Sequence, residues 1–263
     1  MDTIVLESVS KVFRHRPALF NWLGRERDGE TRALDRVSLS VPAGGVLVLL
    51  GPNGSGKSTT LKLISTMLLP DSGRVLVAGA DTRRDAGAVR RNVGFAVANE
   101  RSFFPRLSCR ENLEFFAALY DVPRRERNDR IDAMLERVGL RDAGNILAMK
   151  CSGGMYQRLG IARALIGQPS VILLDEPTRS LDPGSSGQFW RLVRELAAQG
   201  ATIVLATHSF NEGAAVGDAV AVLREGRVAA WRRLAGTDVQ KLREFYFHQT
   251  GEQDEDSLMA VCG

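Results

Sequence analysis

Gly51-Pro52-Asn53-Gly54-Ser55-Gly56-Lys57-Ser58 follows an apolar run, residues 46–50, and precedes a stretch of helical periodicity over residues 57–67. The octapeptide fits the pattern G-x-x-x-x-G-K-[ST], in which a glycine-rich loop joins a buried strand to a helix. In such a loop the backbone N–H groups and the positive end of the helix dipole point at an anion. The sequence therefore predicts a phosphate-binding strand–loop–helix unit.

The chemistry of this loop assigns a role to each polar residue. Lys57 is placed to reach the β- and γ-phosphates, and the Ser58 hydroxyl to ligate Mg²⁺. A glycine-rich turn that carries Lys-Ser by chance is the alternative, expected in about one chain of this length in a hundred. The strand and helix on either side favour the functional interpretation. The predicted nucleotide contacts are Gly51, Pro52, Asn53, Gly54, Ser55, Gly56, Lys57, Ser58 and Thr59.

A second apolar run, Val171-Ile172-Leu173-Leu174, ends in the acidic pair Asp175-Glu176. A carboxylate at the end of a buried strand is typical of the Mg²⁺ shell in phosphoryl-transfer sites, and Asp175 is predicted to take that position. Glu176 is then the candidate general base, because in-line attack on the γ-phosphate needs a carboxylate that orients water. The alternative is an acidic loop that solvates a strand end; Lys57 upstream favours the site.

Alternating strand-like and helix-like stretches predict an α/β fold with a mainly parallel sheet covered on both faces. Residues 3–12 and 33–41 look like strands joined by a charged surface loop over residues 14–32. Residues 99–167 are mostly helical in pattern and are predicted to form an insert. After Arg227 the pattern weakens, so the main domain is predicted over residues 1–240 and a short C-terminal tail over residues 241–263.

Composition excludes several classes of protein. Hydrophobic residues make up 44% of the 263 residues, enough for a core, yet no apolar run approaches the ~20 residues of a bilayer-spanning helix. The N-terminus lacks the pattern of a secretory signal, so we expect a cytoplasmic location. Cys109, Cys151 and Cys262 are widely spaced, which favours reduced thiols over a disulfide framework or a zinc cluster. The net charge of +4 decides nothing by itself.

The segment Cys151-Ser152-Gly153-Gly154-Met155 resembles the signature L-S-G-G-Q of the nucleotide-binding subunits of ABC transporters. Cys151 replaces the usual Leu and Met155 the usual Gln. Physically, a hydroxyl and two unobstructed backbone amides at a helix start form another anion site. By itself Ser-Gly-Gly also fits a plain helix cap, but its place shortly before the acidic strand favours the family.

The resemblance covers roughly residues 3–230. It implies a P-loop NTPase (RecA-like) core, an N-terminal antiparallel β subdomain and a helical subdomain, with ATP and Mg²⁺ as ligands. Ser180-Leu181-Asp182 looks like the D-loop, and Ser152, Gly153, Gly154 and Asp182 are expected to contact nucleotide. His208 looks like the switch histidine that contacts the γ-phosphate, and Phe13 occupies the place of the aromatic residue that stacks on adenine.

One position departs from the family pattern. The family's Q-loop Gln should follow Val93-Gly94-Phe95, but no Gln is present there. Counting forward from Gly94 puts Ala98 at that position, and counting back from Pro105 puts Asn99 there. Asn99 could offer an amide oxygen to Mg²⁺ and to the attacking water, with Glu100 as a fallback.

Within this family two copies bury ATP between the phosphate loop of one and the Ser-Gly-Gly of the other, which implies a homodimer. Residues 100–107 and 110–113 look like those of ABC-2 type exporters, which implies a separate ABC-2 type membrane permease and a peripheral position on the inner face of the cell membrane. The expected lining of its docking groove is Phe103, Phe104, Leu107 and the apolar face of residues 113–120.

A different class of function also fits the sequence: a soluble ABC ATPase that acts as a clamp on nucleic acid or on an assembly scaffold. The mild basic charge and Arg124-Arg125-Glu126-Arg127 are compatible with it. Such a cluster is usually a solvated helix face, and the coiled-coil or zinc inserts of DNA-repair members are not visible in the sequence. We therefore expect no nucleic-acid partner.

Overall fold

The computed structural model describes residues 2–15, 29–98, 102–234 and 238–251. Its strands are β1 Asp2–His15, β2 Gly29–Pro42, β3 Val46–Leu50, β4 Ser72–Val77, β5 Ala80–Asp81, β6 Val93–Val97, β7 Val171–Asp175, β8 Thr202–Thr207, β9 Ala219–Arg224 and β10 Arg227–Arg233. Its α-helices are α1 Lys57–Ile64, α2 Ala86–Asn92, α3 Cys109–Leu119, α4 Arg124–Arg137, α5 Gly153–Leu165, α6 Pro183–Ala198, α7 Phe210–Val216 and α8 Val239–Thr250, with a 3-10 helix at Ala148–Lys150.

These strands form two sheets. The larger has the order β10-β9-β3-β8-β7-β6, and the smaller has the order β2-β1-β4-β5. In the larger sheet β3 pairs in parallel with β8 and β9, and β7 pairs in parallel with β6 and β8. Its edge strand β10 is antiparallel to β9, and the pairings of the smaller sheet are all antiparallel. The predicted α/β class, the mainly parallel sheet and the N-terminal antiparallel subdomain are confirmed.

The central strands β3, β7 and β8 of the larger sheet are buried on both faces, as a parallel sheet requires. Side chains of β3 alternate between two hydrophobic cores, with Leu47 and Leu49 in the core shared with the antiparallel sheet and Val48 and Leu50 in the other. A side chain of this kind contributes about 1.5–3 kcal/mol when fully buried. Helices α3, α5 and α6 supply residues to the second core, whereas α1 supplies residues to the first.

Between β6 and β7 the described residues form α3, α4, the 3-10 helix and α5, within the range 99–167 where an insert is predicted. Helix α3 begins at a capping box, in which the Ser108 side chain accepts from the Glu111 N–H and the Glu111 carboxylate accepts from the Ser108 N–H. Helix α5 begins directly after Ser152, whose side chain caps it. The helical insert therefore carries the Ser-Gly-Gly segment at the start of its last helix.

Three element boundaries differ from the sequence prediction. Helix α1 ends at Ile64 rather than at residue 67, because the chain reaches a left-handed conformation at Thr66, with φ +64°. The strands β1 and β2 extend into the predicted loop, of which residues 16–28 lie outside the described residues.

The C-terminal part holds more structure than its weak pattern indicated. Strand β10 exposes alternate residues at the sheet edge, and α8 buries Leu242, Tyr246 and Thr250 at a spacing of four. The boundary predicted at residue 240 therefore falls inside a packed helix, and the predicted tail is wrong up to residue 250. Among the described residues, none of the helices has the length and apolar character that crossing a bilayer would need.

Candidate nucleotide site

The glycine-rich loop passes very close to two other strands. A Cβ on Gly56 would lie 2.6 Å from Leu34 Cδ2 and 2.8 Å from the Ala33 carbonyl oxygen of β2, and Gly56 itself has φ +107°. A Cβ on Gly51 would lie 2.3 Å from the Leu223 carbonyl oxygen of β9. Only glycine fits these two positions, because any side chain would displace neighbouring backbone. The loop backbone is thus free to turn its N–H groups toward the cleft in front of α1.

Lys57, the first residue of α1, is buried beneath the loop. Its Nζ donates hydrogen bonds to the carbonyl oxygens of Gly51 at 2.6 Å and Pro52 at 3.1 Å. Burial lowers the pKa of Lys57, while the nearby Glu176 and Asp175 carboxylates act in the opposite direction. The ammonium is therefore held at the base of the loop by acceptors that phosphate oxygens can replace.

Asp175 ends β7 with its carboxylate beside the first turn of α1. It is buried and accepts a hydrogen bond from the Ser58 hydroxyl. Burial raises the pKa of Asp175, and the hydrogen bond from Ser58 and the charge of Lys57 oppose that shift. A carboxylate and a hydroxyl in contact form a hard oxygen pair of the kind Mg²⁺ binds, so these two residues fit the predicted metal position.

Glu176 adopts a left-handed backbone conformation, with φ +52°. Its N–H donates to the Ala206 carbonyl oxygen of β8 at 2.9 Å, which holds the residue in place. Its Oε2 lies 2.7 Å from His208 Nδ1, so the structure brings the two predicted catalytic residues into direct contact. A strained residue of this kind costs about 1–3 kcal/mol and is typical of a functional site.

These groups converge on one cleft of about 810 Å³ at the carboxyl ends of the parallel strands. Most of the predicted residues line it: Pro52, Asn53, Gly54, Gly56, Lys57, Ser58, Thr59, Asp175, Glu176 and His208. Gly51 and Ser55 are buried, and the Ser55 N–H donates to the Pro52 carbonyl oxygen at 3.2 Å, so these two shape the loop from within. The cleft thus joins a cation, a metal-binding oxygen pair and a candidate base.

Phe13 and the Q-loop position are the predicted contacts that remain. Phe13 is half-buried on β1, opposite Thr31 of β2, and Thr31 lines the cleft. Ala98 also lines the cleft, and its N–H donates to the Asp175 carbonyl oxygen at 2.9 Å, but its methyl group offers no ligand. Asn99 and Glu100 lie outside the described residues. Adenine stacking by Phe13 and the Q-loop role of Asn99 therefore stay predictions.

The Ser-Gly-Gly segment lies apart from the cleft within the described chain. Ser152 is exposed, and its Oγ accepts from the Met155 N–H at 3.3 Å as the N-cap of α5. A Cβ on Gly154 would lie 3.4 Å from the Ser180 carbonyl oxygen, so the segment rests against the predicted D-loop. Asp182 caps α6 and accepts from the Ser185 N–H at 3.0 Å and from the Ser185 hydroxyl at 2.6 Å. These hydrogen bonds lower the pKa of Asp182.

Sequence reasoning missed two residues near the site. Arg179 lines the cleft three positions after Glu176, and a cation so close to the acidic pair was the available signal. Glu212 of α7 is fully buried, and its carboxyl group faces Thr207, Thr178 and Trp190. Burial raises the pKa of Glu212. Its sequence position, two residues after Phe210 in a short helix, gave no signal, because only tertiary packing brings its carboxyl group to Thr207, Thr178 and Trp190.

The expected docking residues divide between core and surface. Phe103 is buried and packs edge-on against Phe116 and Tyr156, and Leu113 and Ala117 are buried as well. The prediction that these residues line a docking groove is wrong, because they hold the helical insert together. Others of the set are exposed: Phe104 at 44% and Tyr120 at 37%.

A glycine-rich loop, a strand-end acid pair and a histidine on a parallel sheet define a nucleotide-binding protein of the P-loop class. The sequence profile of the family described as ABC transporter matches residues 34–179, more than half of the chain. The chain therefore belongs to the ABC transporter family, as its ATP-binding part.

Relatives among characterised proteins agree with this family. The chain is 39% identical over 239 residues to the daunorubicin/doxorubicin resistance ATP-binding protein DrrA of Streptomyces peucetius, covering 89% of this chain and 72% of that protein. It is 40% identical to DrrA3 of Streptomyces coeruleorubidus, covering 78% of this chain and 65% of that protein. It is 37% identical to the ABC transporter ATP-binding protein NatA of Bacillus subtilis, and the match covers 75% of this chain and 80% of that protein. The chain thus spans about two thirds of the length of the two Drr proteins.

Solved structures support the same assignment. The dimeric, post-hydrolysis structure of the ATP-binding cassette MJ0796 with ADP and Pi matches with a TM-score of 0.78 at 29% identity, covering 88% of this chain and 98% of that chain. A second dimeric structure of MJ0796 matches with a TM-score of 0.77 at 30% identity, and the match covers 88% of this chain and 98% of that chain. These matches confirm the predicted cassette fold with its helical and antiparallel subdomains.

The nucleic-acid alternative gains no support. In the cluster at residues 124–127, Glu126 pairs with Arg125 and Arg130, at 3.6 Å and 2.9 Å. Arg127 Nε donates to the Val122 carbonyl oxygen at 2.8 Å. These contacts describe a solvated helix end, and the relatives named above carry transport or resistance descriptions.

Proposed function

We propose that the chain binds Mg²⁺-ATP in this cleft, hydrolyses it as a homodimer and powers a separate ABC-2 type membrane permease that exports its cargo. The observation that carries the proposal is the convergence of Lys57, the Ser58–Asp175 pair and the Glu176–His208 contact on one cleft of about 810 Å³. Phosphoryl transfer needs neutralised phosphate charge, a metal position and an activated water. Lys57, the Ser58–Asp175 pair and the Glu176–His208 pair fit these three needs in that order.

The residues divide the work as follows. Lys57 exchanges its loop carbonyls for β- and γ-phosphate oxygens, which neutralises charge on the triphosphate. Ser58 and Asp175 would hold Mg²⁺, which when bound would neutralise phosphate charge. Glu176 accepts a proton from the attacking water. His208, already 2.7 Å from Glu176, holds that carboxylate in line and contacts the γ-phosphate.

The homodimer is inferred from the position of the Ser-Gly-Gly segment, which does not line the described cleft of its own copy. Ser152 and Gly153 form an anion-binding helix start that is exposed and does not line the described cleft. Two copies related by a two-fold axis can place each Ser-Gly-Gly segment opposite the other copy's loop. MJ0796 is described as dimeric in both matched structures, which supports this arrangement. ATP then bridges the copies, and loss of the γ-phosphate releases them.

A groove beside the helical insert offers the permease a docking site. It has a volume of about 240 Å³ and lies between the end of α1, β6 and the helices α3 and α5. Met67 and Tyr120 line it and are exposed by 64% and 37%, while Val93 and Phe95 form its apolar base. A short amphipathic helix of the permease fits such a groove, since its apolar face would cover these side chains.

Export as the direction of transport rests on the relatives and on the resemblance of residues 100–107 to ABC-2 type exporters. DrrA and DrrA3 carry the descriptions of drug-resistance proteins, and another relative at 34% identity is a probable multidrug transporter subunit of Escherichia coli. The matching location is the inner face of the cell membrane, reached through the permease.

Two measurements test the proposal. ATP turnover by the purified chain is measured as phosphate release with and without Mg²⁺, and turnover that persists equally without metal contradicts it. Docking is measured by co-purification with the membrane subunit, for which Met67→Asp should abolish recovery. Met149→Asp is the matched control, because Met149 is equally exposed at 64% and does not line the groove. Equal recovery of both variants would remove the groove as the docking site.

A further inference from the structure

Cys109 and Cys151 lie in direct contact, with their Sγ atoms 3.5 Å apart. Cys109 is the first residue of α3, and Cys151 immediately precedes Ser152, the cap of α5. The two residues are 42 positions apart in sequence, so the fold alone brings their thiols together. Neither thiol is used by the proposed hydrolysis.

The backbone around the pair is held by hydrogen bonds on both sides. The Cys109 N–H donates to the Ile146 carbonyl oxygen at 3.0 Å, and Ser108 and Leu147 form an antiparallel bridge. The Ala148 N–H donates to the Leu107 carbonyl oxygen at 2.9 Å. The segment that leads to Cys151 is therefore fixed against the start of α3, and the thiol contact follows from this pairing rather than from one free rotamer.

The two thiols differ in their access to solvent. Cys109 is fully buried, whereas Cys151 is half-buried. Burial, together with the neighbouring Cys151, raises the pKa of the Cys109 thiol to about 12. A reagent in solution therefore meets Cys151 first, and Cys109 reacts afterwards from inside the core.

We propose that Cys109 and Cys151 are a redox-active dithiol, which low-molecular-weight disulfides oxidise to an intramolecular disulfide that switches the Ser-Gly-Gly segment. The Cys151 thiolate attacks one sulfur of the small disulfide, forming a mixed disulfide and releasing one small thiol. Cys109 loses its proton and attacks Cys151 Sγ, forming the protein disulfide and releasing the second small thiol. The protein loses two protons and two electrons, which together are two hydrogen atoms, and the small disulfide gains them.

The consequence for activity rests on the proposed function. The sulfurs must approach each other to bond, and the resulting movement reaches Ser152 because it is the next residue. Ser152 and Gly153 are the groups proposed to face the γ-phosphate of the other copy, and an error of about 1 Å in such a group can cost 100-fold in rate. We therefore expect the oxidised chain to bind nucleotide in its own loop but to turn over ATP at least about tenfold more slowly.

The experiment uses the full chain with Cys262→Ser, so that Cys109 and Cys151 are the remaining thiols. The chain is equilibrated in buffers with increasing ratios of glutathione disulfide to glutathione, and free thiols are then alkylated. Mass spectrometry should find a peptide pair joined through Cys109 and Cys151 and lighter by two hydrogens. Phosphate release should fall in parallel and return when dithiothreitol is added. In Cys151→Leu, which lacks the thiol that reacts first, turnover in the oxidised buffer should equal turnover of the same variant in the reduced buffer.

Several results would overturn the proposal. These are the absence of the joined peptide in the most oxidising buffer, a mixed disulfide that persists on Cys151, and an equal loss of turnover in Cys151→Leu. A joined peptide without loss of turnover would overturn the switching of the Ser-Gly-Gly segment. A chain that shows no turnover even when reduced would contradict the proposed function instead, because formation of the joined peptide requires no ATP.

Discussion

Two segments of this chain carry the same local chemistry, glycines at the start of a helix, yet they differ in their surroundings. The loop at residues 51–58 opens into a cleft with Lys57, Asp175 and Glu176 around it. The segment at residues 152–154 lies at the protein surface, and its cap Ser152 is exposed. Local backbone chemistry makes an anion site possible in both places. Among the described residues of one copy, the acids and the cation that chemistry on ATP requires surround the first segment and not the second.

The largest expected effect concerns the base, which belongs to the complete site. Glu176→Gln keeps the size of the side chain but cannot accept the water proton, so turnover should fall by about 10²–10⁴-fold while nucleotide binding is retained. Phosphate release and equilibrium binding of a fluorescent ATP analogue measure the two quantities. Glu195→Gln, an exposed change on α6, is the control. A Glu176→Gln chain with ordinary turnover would remove Glu176 as the base.

Lys57→Ala tests the phosphate contact of the same cleft. Loss of about 2–3 kcal/mol of charge-assisted hydrogen bonding should weaken ATP binding by about 100-fold. Lys62→Ala, an exposed lysine in the last turn of the same helix, should bind ATP normally. Thermal unfolding of both variants checks that they fold. Unchanged affinity in folded Lys57→Ala would refute the role of Lys57.

Gly153→Asp tests the exposed segment with little harm to the fold. A Cβ at this position meets no atom closer than 3.9 Å, and an acidic side chain suits the first turn of a helix. Its charge should repel the γ-phosphate presented by the other copy, so turnover should fall by about tenfold or more. Binding of ATP to one copy should stay unchanged. A variant with normal turnover would show that the two segments do not work together.

The smallest expected effect concerns the buried residue Glu212 and the dependence of the free energy of unfolding on pH. Burial raises the pKa of Glu212 above its ordinary value of 4.5, so the folded chain keeps a proton that the unfolded chain releases. The stability that this proton provides is complete below about pH 4.5 and is lost as the pH rises through the pKa of the folded state.

Glu212→Gln should therefore gain stability relative to the unchanged chain as the pH rises from about 4.5 to 8, by an amount on the order of 1 kcal/mol. Urea unfolding at a series of pH values measures this difference. Asp175, whose pKa is also raised by burial, is present in both chains and cancels. A difference in the free energy of unfolding that stays constant with pH would contradict the assignment.

The sequence predicted those features that depend on fixed local spacing. Glycines at set offsets determine the loop, and Asp175 and Glu176 meet it because parallel strands end at one edge of the sheet. Features that depend on tertiary packing were missed or misplaced. Glu212 is buried against Thr207 and against Thr178 and Trp190 from distant parts of the chain, and Phe103 is a core residue rather than part of a docking groove. The C-terminal helix α8 was missed because its fully buried positions are few, Leu242, Tyr246 and the polar Thr250, while its other aromatic residues Phe245 and Phe247 are only partly buried.

The most direct test of two half-sites completed by a second copy is sedimentation of Glu176→Gln with Mg²⁺-ATP. The account predicts a species of twice the chain mass of 28.7 kDa with ATP and of the single mass without it. Adding Gly153→Asp should return the ATP-bound protein to the single mass. A Glu176→Gln chain that stays monomeric at every concentration with ATP bound, or a double variant that dimerises equally well, would contradict it.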